Sequence, residues 1–233
     1  MTGLTPDELQ ILALSLRVAV VSVLVSLPLA ILIAYVLARF AFPGKTLFDA
    51  IVHLPLVLPP VVVGFALLVL LGKRGPLGSL LDQWFGIVVA FKWTGAAIAS
   101  AVMGFPLMVR AIRLSIESID KRLEVAGRTL GASRLRVFAS ITLPLALPGI
   151  VTGTLLSFAR GLGEFGATIT FVSNIPGETQ TLPLAIYTFT QVPGGDAQAL
   201  RLSIIAVLLS VFALAMSESL TRRATRTQGD DRG

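Results

Sequence analysis

From 11 to 38 the chain is apolar almost throughout, and runs of similar character recur at 47–72, 95–114, 137–161 and 200–220. The hydrocarbon layer of a bilayer is about 30 Å thick and a helix rises ~1.5 Å per residue, so about 20 apolar residues make one crossing. Lipid offers no partner to a backbone polar group, which leaves only helices or a closed barrel. A barrel needs about eight or more strands of period-two alternation, and that alternation is missing. The runs therefore predict an all-α integral membrane protein of five transmembrane helices, forming a single domain over 1–233. Charged residues make up 14% of the chain, against about 25% in soluble domains, so little remains from which to build a separate soluble domain.

The first run is far longer than the roughly 7–15 residues of a signal-peptide core and no basic segment precedes it, so it is expected to stay as a span. The chain has no cysteine, which excludes disulfides, thiolate metal sites and cysteine nucleophiles. Its formal charge is +6. No basic run exceeds two residues, so the charge points to membrane topology and away from nucleic acid. Basic residues gather on the cytoplasmic side of membrane proteins. Arg39 and Lys45 follow the first span; Arg110, Arg113, Lys121, Arg122, Arg128, Arg134 and Arg136 surround the third connection; Arg222, Arg223, Arg226 and Arg232 follow the fifth. With five spans these fall on one side and collect 13 of 19 Lys and Arg residues. The expected orientation puts the N-terminus outside and the C-terminus in the cytoplasm.

Between the fourth and fifth spans lie two apolar pieces too short to cross, 165–172 and 184–192, separated by the turn signature Asn174-Ile175-Pro176-Gly177-Glu178. They predict an outer re-entrant segment; a further span from the same residues is the other possibility. Proline inside a helix removes a donor and crowds the carbonyl four residues back, so Leu58-Pro59-Pro60-Val61 predicts a bent or broken second span. Such breaks either line a pathway or simply kink against neighbours. Gly149 and Gly153 form a small-xxx-small pair suited to close helix packing.

The most informative polar segment is 118–136. Asp120 suits an N-cap. Ile119, Leu123, Ala126 and Leu130 recur at helical spacing and make one apolar face, with Lys121, Arg122, Glu124 and Arg128 on the other sides. Gly131 suits the left-handed position that ends a helix, and Ser133 can cap the next one. A short amphipathic helix at a membrane surface either lies on lipid or is gripped by a soluble partner. A DNA-reading helix-turn-helix is excluded by the spans that hold both ends.

The segment resembles the loop of bacterial ABC importer membrane subunits, which reads Glu-Ala-Ala, three residues, Gly, nine residues, Ile-x-Leu-Pro. Gly131, Ile141, Leu143 and Pro144 stand in register; Val125-Ala126-Gly127 occupy the Glu-Ala-Ala positions, and the acid stands one earlier as Glu124. Segments 42–45, 53–64 and 163–168 are similar to the oxyanion branch of that family, and with 171–179 to molybdate permeases within it, with sulfate, thiosulfate or tungstate permeases as the alternative. The resemblance implies an ABC importer permease fold in a bacterial inner membrane. It implies as partners a second copy of the chain, two cytoplasmic ATP-binding subunits and a periplasmic molybdate-binding protein, with membrane lipid around it. It also implies a coupling helix to the ATP-binding subunit made by Leu123, Glu124, Ala126, Gly127, Arg128, Leu130 and Gly131, and no catalytic site or cofactor in this subunit.

Candidates for the translocation path are Pro59, Pro60 and Val62 at the break, with Thr168, Thr170, Ser173 and Asn174, whose side chains donate hydrogen bonds without a fixed charge. Glu164 is expected to pair with Arg160 or with backbone donors of the re-entrant segment. His53, the one histidine, stands four residues from Asp49, and that pair steadies a helix end; a lone histidine makes no metal cluster. Two other classes of function fit worse. An intramembrane hydrolase could draw on Ser100, Ser157 or Ser210, but no Gly-x-Ser-x-Gly or His-Glu-x-x-His pattern exists. A transporter driven by an ion gradient would be expected to carry mid-span carboxylates.

Overall fold

The computed structural model describes residues 4–230; the side chains of 214, 216–218 and 220–230 lie outside the description, and so do Arg222, Arg223, Arg226 and Arg232 as topology markers. The helices in order are α1 (Pro6–Arg39), α2 (Lys45–Val57), α3 (Pro60–Leu71), α4 (Pro76–Phe85), α5 (Trp93–Glu117), α6 (Lys121–Thr129) and α7 (Arg134–Val137). A π-helical turn at Phe138–Thr142 follows, then α8 (Leu143–Leu145), α9 (Leu147–Leu162), α10 (Gly166–Val172), α11 (Leu182–Gln191) and α12 (Asp196–Asp230). No strand occurs among the described residues. Three helices, α1, α5 and α12, are long and apolar enough to cross a bilayer, and the number reaches five when the bent pairs α2–α3 and α7–α9 each count as one crossing.

The break expected at 58–61 is present, and the fourth expected span is interrupted as well. The 47–72 segment turns through 112° between Val57 and Pro60, where Pro59 serves as N-cap and Pro60 as first helical residue of α3. The 137–161 segment bends by 67° about Ala146, between Pro144 in α8 and Pro148 in α9. In both, proline withdraws an N–H at one spot and the chain changes direction there. Pro28, Pro55 and Pro106, by contrast, sit inside helices that continue past them.

α5 is the central post, packed along α1 on one side and α9 on another. Small residues let the backbones approach. A Cβ on Gly153 would lie 2.9 Å from the Met108 carbonyl of α5, and Gly149 faces the Cβ of Ser115. The small-residue pair read from the sequence is therefore the α5–α9 seam. Toward the end bearing α6, the hairpin end, Ala30, Ala34, Leu37, Met108, Ile112 and Ile116 form one core cluster. Toward the far end Val18, Val63, Ala96, Met103, Ala167 and Phe171 form another.

The far end is held by polar ties as well. Glu8, buried, accepts from Arg201 of α12 at 2.9 and 3.1 Å and closes a capping box with Thr5. The amide of Leu182 donates to Ser15 Oγ at 2.7 Å, fastening the start of α11 to α1. The backbone amide of Trp93, at the start of α5, donates to the Glu178 carboxylate at 3.3 Å, while the Arg17 guanidinium stacks 3.8 Å above the Trp93 ring. The 165–192 segment accordingly forms two short helices, α10 against α3 and α5 and α11 against α12 and α1, with Asn174-Ile175-Pro176-Gly177-Glu178 at their turn.

Candidate functional site

The α6 hairpin is built by local rules. Asp120 caps α6 by accepting from the Arg122 amide at 2.9 Å. Leu130 ends it, and Gly131 follows at φ +87°, a left-handed conformation that glycine adopts without cost. Ser133 then accepts from the Arg136 amide at 3.3 Å and starts α7. The result is helix, tight turn, helix.

The side of α6 that faces the bundle is not its apolar one. The apolar residues face outward: Leu123 is 43% exposed, Leu130 88% and Val125 57%, and Ala126 is exposed too. The inward side is Glu124 and Gly127. A Cβ on Gly127 would meet Ile141 at 2.9 Å and Val137 at 3.3 Å, so the absence of a side chain sets how closely α6 approaches the second arm. Of the apolar set read from the sequence, only Ile119, just before the helix, is buried.

Glu124 makes the principal tie. Its Oε1 accepts from Arg39 Nε at 2.9 Å and from Thr142 Oγ1 at 2.9 Å, and Arg39 Nη2 donates to the Ile119 carbonyl at 3.2 Å. The Arg39 and Glu124 side chains are only 7% and 15% exposed. Three elements meet at this carboxylate: the last residue of α1, the hairpin helix and the π turn. Ile141, Leu143 and Pro144 belong to that turn and to α8 just beyond it. These contacts join α6 to a 34-residue helix and to the bend leading into α9. Sequence reading missed Arg39 and Thr142. Arg39 lies 85 residues from its partner, and no local pattern joins them. Lys121, Arg122 and Arg128 are exposed on α6.

The path candidates divide. Pro59 and Val62 are exposed and Pro60 half-buried at the α2–α3 break. Ser173 is exposed, in an unusual backbone conformation for a non-glycine residue at φ 64° and ψ −164°. Thr170 is half-buried, with its hydroxyl donating to the Gly166 carbonyl at 2.8 Å, and Asn174 donates to Thr188 at 2.7 Å. Thr168 is only 1% exposed, so its hydroxyl is sealed in the packing and reaches no open surface. The break and the folded-back segment are in direct contact. A Cβ on Gly64 would lie 2.5 Å from the Ala167 carbonyl, and one on Gly166 would lie 2.8 Å from Pro60. The structure thus brings Pro60 of the break beside α10.

Glu164 joins α9 to α10 in both ways read from the sequence: it pairs with Arg160 and accepts from the Ala167 amide at 2.8 Å. His53 Nδ1 lies 3.1 Å from Asp49, and Arg113 of α5 reaches the same carboxylate at 3.0 Å while bonding Glu117 at 2.8 Å. These groups line a cleft of about 550 Å³ beside Arg110. No group of three or more metal-binding side chains exists among the described residues. Ser157 is packed against Gly104, in the α5–α9 seam.

Comparison with known proteins gives a consistent likeness. Residues 26–226 match the family of binding-protein-dependent transport system inner membrane components. The chain is 59% identical over 226 residues to the molybdenum transport system permease protein ModB of Escherichia coli K12, covering 97% of this chain and 99% of that one. It is 38% identical over 191 residues to the sulfate transport system permease protein CysT of Salmonella typhimurium, covering 81% and 69%. Among solved structures, a bacterial ABC transporter that imports the acidic polysaccharide alginate shares the fold with a TM-score of 0.74 at 19% identity, over 94% of this chain and 80% of that one.

Proposed function

This chain belongs to the binding-protein-dependent transport system inner membrane components, and from that premise we propose that it is the permease subunit of an ATP-driven importer carrying molybdate into the cytoplasm. The protein is a multi-pass inner-membrane component, and 59% identity along nearly its whole length to a molybdenum permease carries the choice of anion. The 38% likeness to a sulfate permease leaves sulfate as the second reading.

The mechanism follows from where α6 is fixed and where it is free. Its exposed face of Leu123, Val125, Ala126 and Leu130 is the surface that a cytoplasmic ATP-binding subunit would grip. Its other side is locked by Glu124 to α1 and the π turn. Closure of two ATP-binding subunits on ATP would draw two such hairpins together, one from each copy of the permease. Stiff helices would rotate, and the Pro59-Pro60 and Ala146 bends would take up the change of direction. Rocking of helices about a fixed pathway is a general route to alternating access. At the far end a periplasmic binding protein would deliver the anion. Val62, Ser173 and Asn174 near the α3–α10 contact offer hydroxyl, amide and apolar groups to a path that must release a dianion. Bond-breaking chemistry belongs to the ATP-binding partner.

ATP-dependent uptake of labelled molybdate into vesicles, with the binding protein supplied outside, tests the reading. Molybdate and tungstate should compete on equal terms and sulfate poorly. Sulfate as the better competitor would move the protein to the sulfate branch, and uptake without ATP would remove it from this class of transporter.

A further inference from the structure

Between the end of α1 and the α6–α7 hairpin lies a cleft of about 300 Å³, whose walls include Tyr35, Arg39, Lys121, Glu124, Arg128 and Arg134. Its charge is one-sided. Four cations face one carboxylate, and that carboxylate already accepts from Arg39 and Thr142. Among the described residues none of Lys121, Arg128 or Arg134 has an acidic partner within 4 Å. A basic surface near a membrane is ordinary; what sets this one apart is Arg39. Its side chain is only 7% exposed. Two of its nitrogens are engaged, while Nη1 is buried with no hydrogen-bond partner.

A buried guanidinium nitrogen without an acceptor is costly, and three further unpaired cations around one cleft repel each other. An anion with several acceptor oxygens, seated among the four cations that line the cleft, relieves that repulsion. We propose that this cleft binds a tetrahedral oxyanion group, with Arg39 at its base and Lys121, Arg128 and Arg134 around its mouth. Guanidinium forks match such oxygens in pairs, and the cleft has room for the group with some of its water. The chemistry is shared by the phosphate of an anionic phospholipid and by a soluble inorganic oxyanion. The first is suggested by position, since Arg39 ends a membrane helix and Tyr35 and Phe40 meet edge-on beside it with centroids 5.9 Å apart. Either occupant would bridge α1 to α6 and α7, stiffening the joint through which α6 acts.

The test uses the full chain, with whatever subunits purify with it, in neutral detergent stripped of lipid. Inorganic phosphate is one probe and dioctanoyl phosphatidylglycerol the other, with chloride and dioctanoyl phosphatidylcholine as controls; the reading is the unfolding midpoint against concentration. A saturable rise with phosphate assigns a soluble oxyanion. A rise with phosphatidylglycerol alone assigns the lipid headgroup. In either case Lys121→Gln with Arg134→Gln should raise the half-saturating concentration about tenfold or more, and Lys121→Arg should leave it within about twofold. No saturable response to either probe, a response matched by the controls, or one unchanged in the double variant would overturn the proposal.

Discussion

Glu124 is held by two hydrogen bonds, from Arg39 and Thr142, and the consequences of losing it are specific. Removing one partner of a buried ion pair leaves the other charge uncompensated and costs about 3–5 kcal/mol, whereas replacing both by apolar groups of similar size is often close to neutral. Glu124→Leu should therefore lower stability by about 3 kcal/mol and Arg39→Met by a similar amount. Glu124→Leu combined with Arg39→Met should recover much of that loss. A double-mutant cycle on denaturation midpoints checks this, and additive losses would mean the two side chains do not form one unit. The cycle also separates structure from transmission. If the tie carries motion, the recovered double variant should hydrolyse ATP in the assembled transporter while moving less anion per ATP than the parent.

At the level of elements, boundaries set by special residues were legible in the sequence, and faces set by neighbours were not. Asp120, Gly131 and Ser133 announce the hairpin because each satisfies or releases backbone groups within a few residues of itself. Pro59-Pro60 announces the first break for the same local reason. The bend at Ala146 was missed because apolar residues continue through it and hide the interruption. The apolar stripe of α6 reads as lying on lipid or being held by a partner, and it does face outward; what no local pattern shows is that the place against the bundle is taken by Glu124 and Gly127. An exposed leucine at an element boundary carries little folding energy, so Leu130→Asp should change stability by no more than about 0.5 kcal/mol. The same change should abolish co-purification with the ATP-binding subunit, and retained binding would show that α6 is not the grip. The α3–α10 joint makes the opposite demand. Gly64→Val puts new atoms where a Cβ already meets the Ala167 carbonyl at 2.5 Å. Such overpacking costs about 1–3 kcal/mol. A thermal scan in detergent should show a lowered midpoint, with anion uptake falling at unchanged α6 binding.

For the molecule as a whole, the polar ties cluster at the two ends of the helices and the middle is held by small-residue packing. The Glu8–Arg201 pair and the Trp93–Glu178 hydrogen bond close one end, and the Glu124 junction closes the other. That distribution suits a body whose ends pass loads to partners while its mid-section adjusts at two bends. On the proposed reading the ends lie on opposite sides of the membrane, with the hairpin in the cytoplasm beside the source of ATP. The charge asymmetry read from the sequence points the same way, but charge alone does not fix a fold in space. The chain contains no cysteine, so single introduced thiols report without background. Leu135→Cys sits on the hairpin at 76% exposure and Val192→Cys beyond α11 at 51%. In intact cells with a permeabilised outer membrane, a membrane-impermeant maleimide should label Val192→Cys and reach Leu135→Cys only after the inner membrane is opened. The reverse pattern would place α6 outside, out of reach of any ATP-driven partner, and the mechanical reading of Glu124 and Arg39 would lose its source of force.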